Sequence, residues 1–224
     1  MSRKTNLKIL KIFGAEDWLS RGFYKKNLAQ RLKEDFEIRK FLENFIIKGI
    51  IESIEIEREE ASLKIIIKTS RPALVIGRNG EMVEKIKKGI KKIINQPKEQ
   101  AEKTREKGGK ELKIDIVAVK NPWSSAKLAS SWATIQLEKR VPYRRVLKMT
   151  LSKIMYCREV EGARVEVSGR LNGVEISRKE WLQEGKLPRQ RVEALIDYGF
   201  SQAYCSYGVI GVKVWIYKGE REKN

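Results

Sequence analysis

Apolar residues recur along this chain with two different periods, and the places where the period changes mark out the elements. Over residues 27–49, Leu28, Leu32, Phe36, Ile38, Phe41, Leu42 and Phe45 fall mostly three or four apart, the spacing of one buried helix face, and Gly49 closes the run. Residues 50–57 and 63–69 alternate Ile with Glu or Lys, which predicts strands with one buried and one wet face joined by a turn at 58–62. A short helix opening at Pro72 and a longer one over 81–95, stopped by Pro97, precede a third alternating run at 111–119. Residues 98–110 are charged, contain Gly108 and Gly109, and read as a solvated excursion. The predicted order is helix, strand, strand, helix, helix, strand.

Asn121 and Pro122 interrupt that pattern. Beyond them, Ser124 or Ser125 is placed to cap a helix running to about Arg140, and Pro142 opens a second helix to about Val160. Strand runs follow at 163–168, 174–179, 192–203 and 209–218, with Asn172 and Gly173 as one hairpin turn and Gly208 at another. The patterning therefore predicts a basic lead at 1–14, a first domain at 15–120, and an α+β domain at 123–220 made of two helices and a four-strand antiparallel sheet.

Composition adds a partner to this outline. The chain carries 48 Lys plus Arg against 29 Asp plus Glu, a formal charge of +19, and such a surplus calls for a polyanion, nucleic acid first. Residues 1–122 hold +11 of it and residues 123–224 hold +8, so the expected contact surface extends over both domains. The basic residues alternate with glutamates instead of lining one face of a Trp-rich helix, so no membrane partner is expected. Residues 1–13 are interrupted by Arg3, Lys4, Lys8 and Lys11, and no stretch approaches a membrane span, which points to the cytoplasm.

The chain has no histidine, which removes Ser-His-Asp and Cys-His chemistry and histidine-bearing zinc sites. Cys157 and Cys205 stand far apart and read as small buried hydrophobes in a reducing compartment. A magnesium-dependent nuclease would have to draw on Glu175, Glu180 or Asp197, but these are scattered and read as solvated. No catalytic residue, metal or cofactor is expected, and the chain is not read as an enzyme.

Two clusters carry the chemistry that remains. Gly77, Arg78, Asn79 and Gly80 form a G-x-x-G loop after the apolar run 73–76 and ahead of a helix bearing Lys85, Lys87 and Lys88. Glycines at both ends let a phosphodiester approach the main chain, the helix start offers N–H groups and a positive dipole end, and Arg78 and Asn79 project from the tip. Alone the pattern is a common tight turn; in so cationic a chain it fits the loop with which KH domains hold a nucleic-acid backbone. Taken with the element order, it predicts a type II KH domain, αββααβ. The second cluster lies on the helix from Pro142, where a 100° wheel puts Arg144, Arg145 and Lys148 on one arc and Val146, Leu147, Thr150, Ile154 and Cys157 on the other side. Arg140 lies just upstream, and no acid occurs between Lys139 and Arg158, unlike the interleaved charges of an ordinary solvated face.

Four blocks in order then resemble a known family, the bacterial-type small-subunit ribosomal protein S-three. They are ALVIGRNGE at 73–81, LEKRVPYRRVLK at 137–148, VEVSGRLNGVEISR at 165–178 and YGVIGVKVWI at 207–216. The resemblance implies a KH domain and a C-terminal α+β domain bound to ribosomal RNA in the head of the small subunit. It also implies a place at the messenger RNA entrance, with Arg144, Arg145 and Lys148 helping to unwind structured messenger, and rRNA contacts from Arg140, Arg164, Arg170, Arg178 and Lys179. The implied neighbours are the tenth and fourteenth small-subunit proteins in the head and the fourth and fifth at the tunnel. The chain departs from the family pattern in its shorter basic lead at 1–14, an insertion at 100–110 and Pro142 at a turn. The alternative is a free KH-domain regulator of transcripts, which accounts for the glycine loop but not for the blocks beyond residue 122.

Overall fold

The structure is a computed structural model that describes residues 18–22, 28–59, 62–94, 111–191 and 193–220. The basic lead at 1–14, the whole excursion at 98–110 and part of the turn at 58–62 lie outside the described residues. The chain divides into two compact units between Val119 and Lys120.

The first unit has the elements β1 (Ser20–Gly22), α1 (Leu28–Phe45), β2 (Ile51–Arg58), β3 (Ser62–Thr69), α2 (Pro72–Ile76), α3 (Glu81–Ile94) and β4 (Glu111–Ala118). Its sheet runs β1-β2-β3-β4, with β2 and β3 antiparallel and β4 parallel to β3. The strand alternation works as expected: Ile54, Ile56, Leu63, Ile65 and Ile67 turn inwards against Ile38 and Leu42 of α1 and Ile86 and Ile90 of α3. Gly89 makes room for α1, since a Cβ there would meet the Phe41 ring at 2.3 Å.

Two features of this unit differ from the patterning. The strand β1 is only three residues long, too short to show a period, and it pairs parallel to β2 through register Ser20 with Ile56. The buried stripe of α1 is only partly the predicted one: Ile38, Phe41, Leu42 and Phe45 join the core, but Leu28, Leu32 and Phe36 are about half-exposed or more, while Asp35 is buried beside Ile38 and Leu42. The partner of Asp35 is Arg58 at the end of β2, whose Nε donates to Asp35 Oδ1 at 2.8 Å and whose Nη1 donates to Glu34 at 3.0 Å. A guanidinium taken out of water needs its carboxylate beside it, which is why an acid is accommodated at a buried position of α1.

In the second unit the order is α4 (Ala126–Glu138), α5 (Tyr143–Met155), β5 (Gly162–Gly169), β6 (Arg178–Gly185), β7 (Ala194–Cys205) and β8 (Gly208–Glu220). All sheet pairings are antiparallel in the order β6-β5-β8-β7. Val165, Val167, Ile210, Val212, Val214 and Ile216 pack one sheet face against Ala129, Ala133, Val146, Leu147 and Ile154 of the helices.

Three expectations are corrected here. Ser125 stands at the N-cap of α4 but makes no side-chain cap; Asp197 of β7 accepts the Ala126 N–H at 2.8 Å instead. The helix α5 ends at Met155 rather than near Val160. Asn172 and Gly173 do not make a two-residue hairpin. They lie in a tight turn at Leu171–Gly173, and pairing resumes only where Gly169 meets Arg178, which moves the strand from 174–179 to Arg178–Gly185. Two anchors hold this longer loop: Leu171 is fully buried, and Arg170 donates to the carbonyls of Val174 and Tyr207 at 3.1 and 3.3 Å.

Candidate nucleic-acid interface

The G-x-x-G segment is a break between α2 and α3. Gly77 leaves α2 with φ 74°, Asn79 takes φ 50° and Gly80 φ 79°, all in the left-handed region where glycine and asparagine cost least. The two glycines do different jobs. A Cβ on Gly77 would meet Met82 Cγ at 2.6 Å, so that glycine lets the loop close on α3, whereas a Cβ on Gly80 would meet nothing within 4 Å. Gly80 therefore marks the open side of the loop, flanked by exposed Arg78 and Asn79, with Lys85 exposed one turn further along. The helix start is less cationic than expected, because Glu81 and Glu84 stand in its first turn and already complement the dipole. Attraction for an anion here rests on Arg78, Lys85 and the main chain.

On α5 the predicted arc is real. Arg144, Arg145 and Lys148 are exposed, while Tyr143, Val146, Leu147, Thr150, Leu151 and Ile154 are buried. The arc is not without acid, however. Glu180 arrives from β6, with Oε2 3.6 Å from Arg144 Nε and Oε1 3.5 Å from Arg178 Nε. The Tyr143 hydroxyl donates to Glu180 Oε1 at 2.8 Å and accepts from Arg144 Nε at 3.1 Å and Arg178 Nη2 at 3.3 Å. The Arg144 guanidinium is raised above its ordinary value by Tyr143 first and by Glu180 after it, and stays charged. Tyr143 was not among the sequence candidates, and Glu180 entered only as a scattered acid read as solvated. Their only signal was a phenol at a buried helix position and an acid two residues after an arginine in a strand.

The other candidates separate by what their donors already hold. Arg164 is buried, its guanidinium 4.0 Å from the Trp181 ring centroid and bonded to Glu166 at 3.1 Å. Arg170 is engaged in its loop. Lys179 is exposed on the sheet face away from α5, opposite Ser168. Arg140 is exposed and takes φ 61° as the residue beyond α4, where its N–H donates to Leu137 O and that of Val141 donates to Gln136 O, the paired bonds of a Schellman end. Of the tryptophans, Trp123 and Trp132 meet edge to face at 5.2 Å with Lys153 Nζ 4.1 Å from Trp132, and Trp215 lies beside Tyr198.

Among the described residues no group of His, Cys, Asp or Glu could hold a metal, and Glu180 and Asp197 are committed to the contacts above. Burial pushes the Cys157 and Cys205 thiols up, with Glu159 and Glu138 adding to it, so both remain protonated near neutral pH. No helix among the described residues is long and apolar enough to cross a membrane.

Strand order, helix pair and glycine loop together make the first unit a KH domain, and residues 37–124 match the family described as "KH domain". Residues 134–216 match "Ribosomal protein S3, C-terminal domain". The chain is 40% identical to small ribosomal subunit protein uS3 of Desulfitobacterium hafniense over 98% of its own length and 94% of the relative's. The uS3 of Thermodesulfovibrio yellowstonii is 39% identical over 98% and 95%, and that of Buchnera aphidicola subsp. Schizaphis graminum 43% over 87% and 77%. The chain belongs to the uS3 family of small ribosomal subunit proteins. These are structural proteins of the ribosome and not enzymes, and a free KH regulator would not carry the second domain.

Proposed function

We propose that this protein is a structural constituent of the head of the small ribosomal subunit, in the cytoplasm, where it binds ribosomal RNA and lines the messenger RNA entrance. Its neighbours in this reading are the tenth and fourteenth head proteins and the fourth and fifth proteins of the tunnel. The observation that carries the entrance role is the helix α5, which buries one face completely and turns Arg144, Arg145 and Lys148 outwards on the other. Phosphates of a strand separated from its partner fall to these cations, and the free energy for separation comes from translocation, so no nucleotide site is needed. The KH loop contributes a second phosphate contact through Arg78, Asn79, Gly80 and Lys85.

Replacing Arg144, Arg145 and Lys148 together by Ala removes exposed side chains and leaves the buried stripe of α5 untouched, so the variant should still enter small subunits. Ribosomes carrying it should translate an unstructured messenger at the parent rate and slow on one with a stable hairpin just downstream of the entrance. Equal rates on both messengers would remove the unwinding role.

A further inference from the structure

We propose that Arg178 of β6 and Arg144 of α5 form one fork that holds a phosphodiester of single-stranded RNA, with Tyr143 and Glu180 as its positioning residues. The inference rests on the entrance reading above and extends it to a second element of the fold.

Strand alternation places Arg178 and Glu180 on the sheet face that α5 covers and sends Lys179 and Trp181 to the other face. Tyr143, 3% exposed, is anchored in the core, and its hydroxyl is a fully used node: one proton given to Glu180 and two lone pairs taken by Arg144 and Arg178. Both guanidinium donors lie on one oxygen, at 3.1 and 3.3 Å, so the two cations are no further apart than the sum of those distances. Their side chains are nonetheless 75% and 47% exposed. Among the described residues, Arg144 Nη1 and Nη2 and Arg178 Nη1 make no hydrogen bond. Planar guanidinium groups with free parallel N–H donors are matched to phosphate oxygens. One carboxylate shared by two arginines leaves a net positive site that is held in place rather than neutralised. Lys148, one helical turn beyond Arg144, continues the same track.

The alternative is that Arg178 only ties the edge strand to α5. The full-length chain is titrated with a fluorescent oligouridine over a range of salt, with circular dichroism as the folding control. Arg178→Ala should weaken binding about threefold or more and lower the slope of log K against log [salt] by roughly 0.7, the value for one phosphate on a single strand. Arg178→Lys should recover the slope but not the full affinity, and the Arg144→Ala/Arg178→Ala double variant should lose less than the product of the single losses. Tyr143→Phe should weaken binding with the slope unchanged. An Arg178→Ala slope equal to the parent's, or losses that multiply fully in the double variant, would overturn the fork. Failure of the underlying reading looks different: the triple Ala variant of Arg144, Arg145 and Lys148 would then bind like the parent.

Discussion

Identical residue types have different fates in this protein, and the two loop glycines are the clearest case. Gly77 closes the loop against Met82, while Gly80 faces open space. Gly77→Ala combines a positive φ with a clash and should cost about 1–3 kcal/mol of stability, read as a lower unfolding midpoint. Gly80→Asn and Gly80→Asp share the same backbone cost, tolerable for either side chain in the left-handed region, and differ in charge. Both should fold. Asn should bind RNA close to the parent level and Asp several-fold more weakly, and equal binding by the two would show that no phosphate approaches the loop. The arginines divide in the same way. Arg164 and Arg170 are consumed by Trp181, Glu166 and main-chain carbonyls, whereas Arg144 and Arg145 keep their outer donors for a ligand.

At the scale of elements, periodicity located the helices and strands longer than three residues among the described residues except β6, which it placed at 174–179 instead of Arg178–Gly185, and the remaining errors concentrate at ends. Helix α4 shows why an end is informative. Its last turn closes through a left-handed residue, normally glycine or asparagine, and here that residue is Arg140. A side chain that costs stability at an exposed turn points to a use for its charge. Arg140→Gly should therefore raise stability by about 1 kcal/mol and the thermal midpoint by a few degrees, and at the same time weaken RNA binding. A stabilised variant with undiminished RNA affinity would remove Arg140 from the interface. At the other end of the same helix, the cap comes from Asp197, 71 residues away, rather than from the local serines.

For the whole molecule, charge is the property that decides behaviour. The surplus of +19 is shared by both halves of the chain, so binding to a ribosomal RNA head fragment should be dominated by phosphate contacts and counterion release. Affinity should fall by about a hundredfold or more between roughly 50 and 200 mM salt, and a nearly flat plot of log K against log [salt] would contradict it. Internal pairing does not remove this charge, because every acid that pairs is already subtracted in the net +19, and among the described residues the two buried cations, Arg58 and Arg164, are each matched by a carboxylate.

The sequence by itself determined the properties that depend on near neighbours. These are the two-period pattern that orders the elements, the glycine loop between two helices, the cationic arc of α5 and the four blocks of family resemblance, each readable from spacing within about a dozen residues. The tertiary structure alone decided which candidates already have partners inside the fold. Glu180 meets Tyr143 across 37 residues, Arg58 pairs with a buried Asp35 across 23, and Leu171 anchors a loop longer than the expected hairpin turn. The physical reason is the same in each case. A side chain's period reports the backbone it sits on, but its hydrogen-bond and ion-pair partners come from whatever distant segment the fold packs beside it, and desolvation makes those distant pairings obligatory.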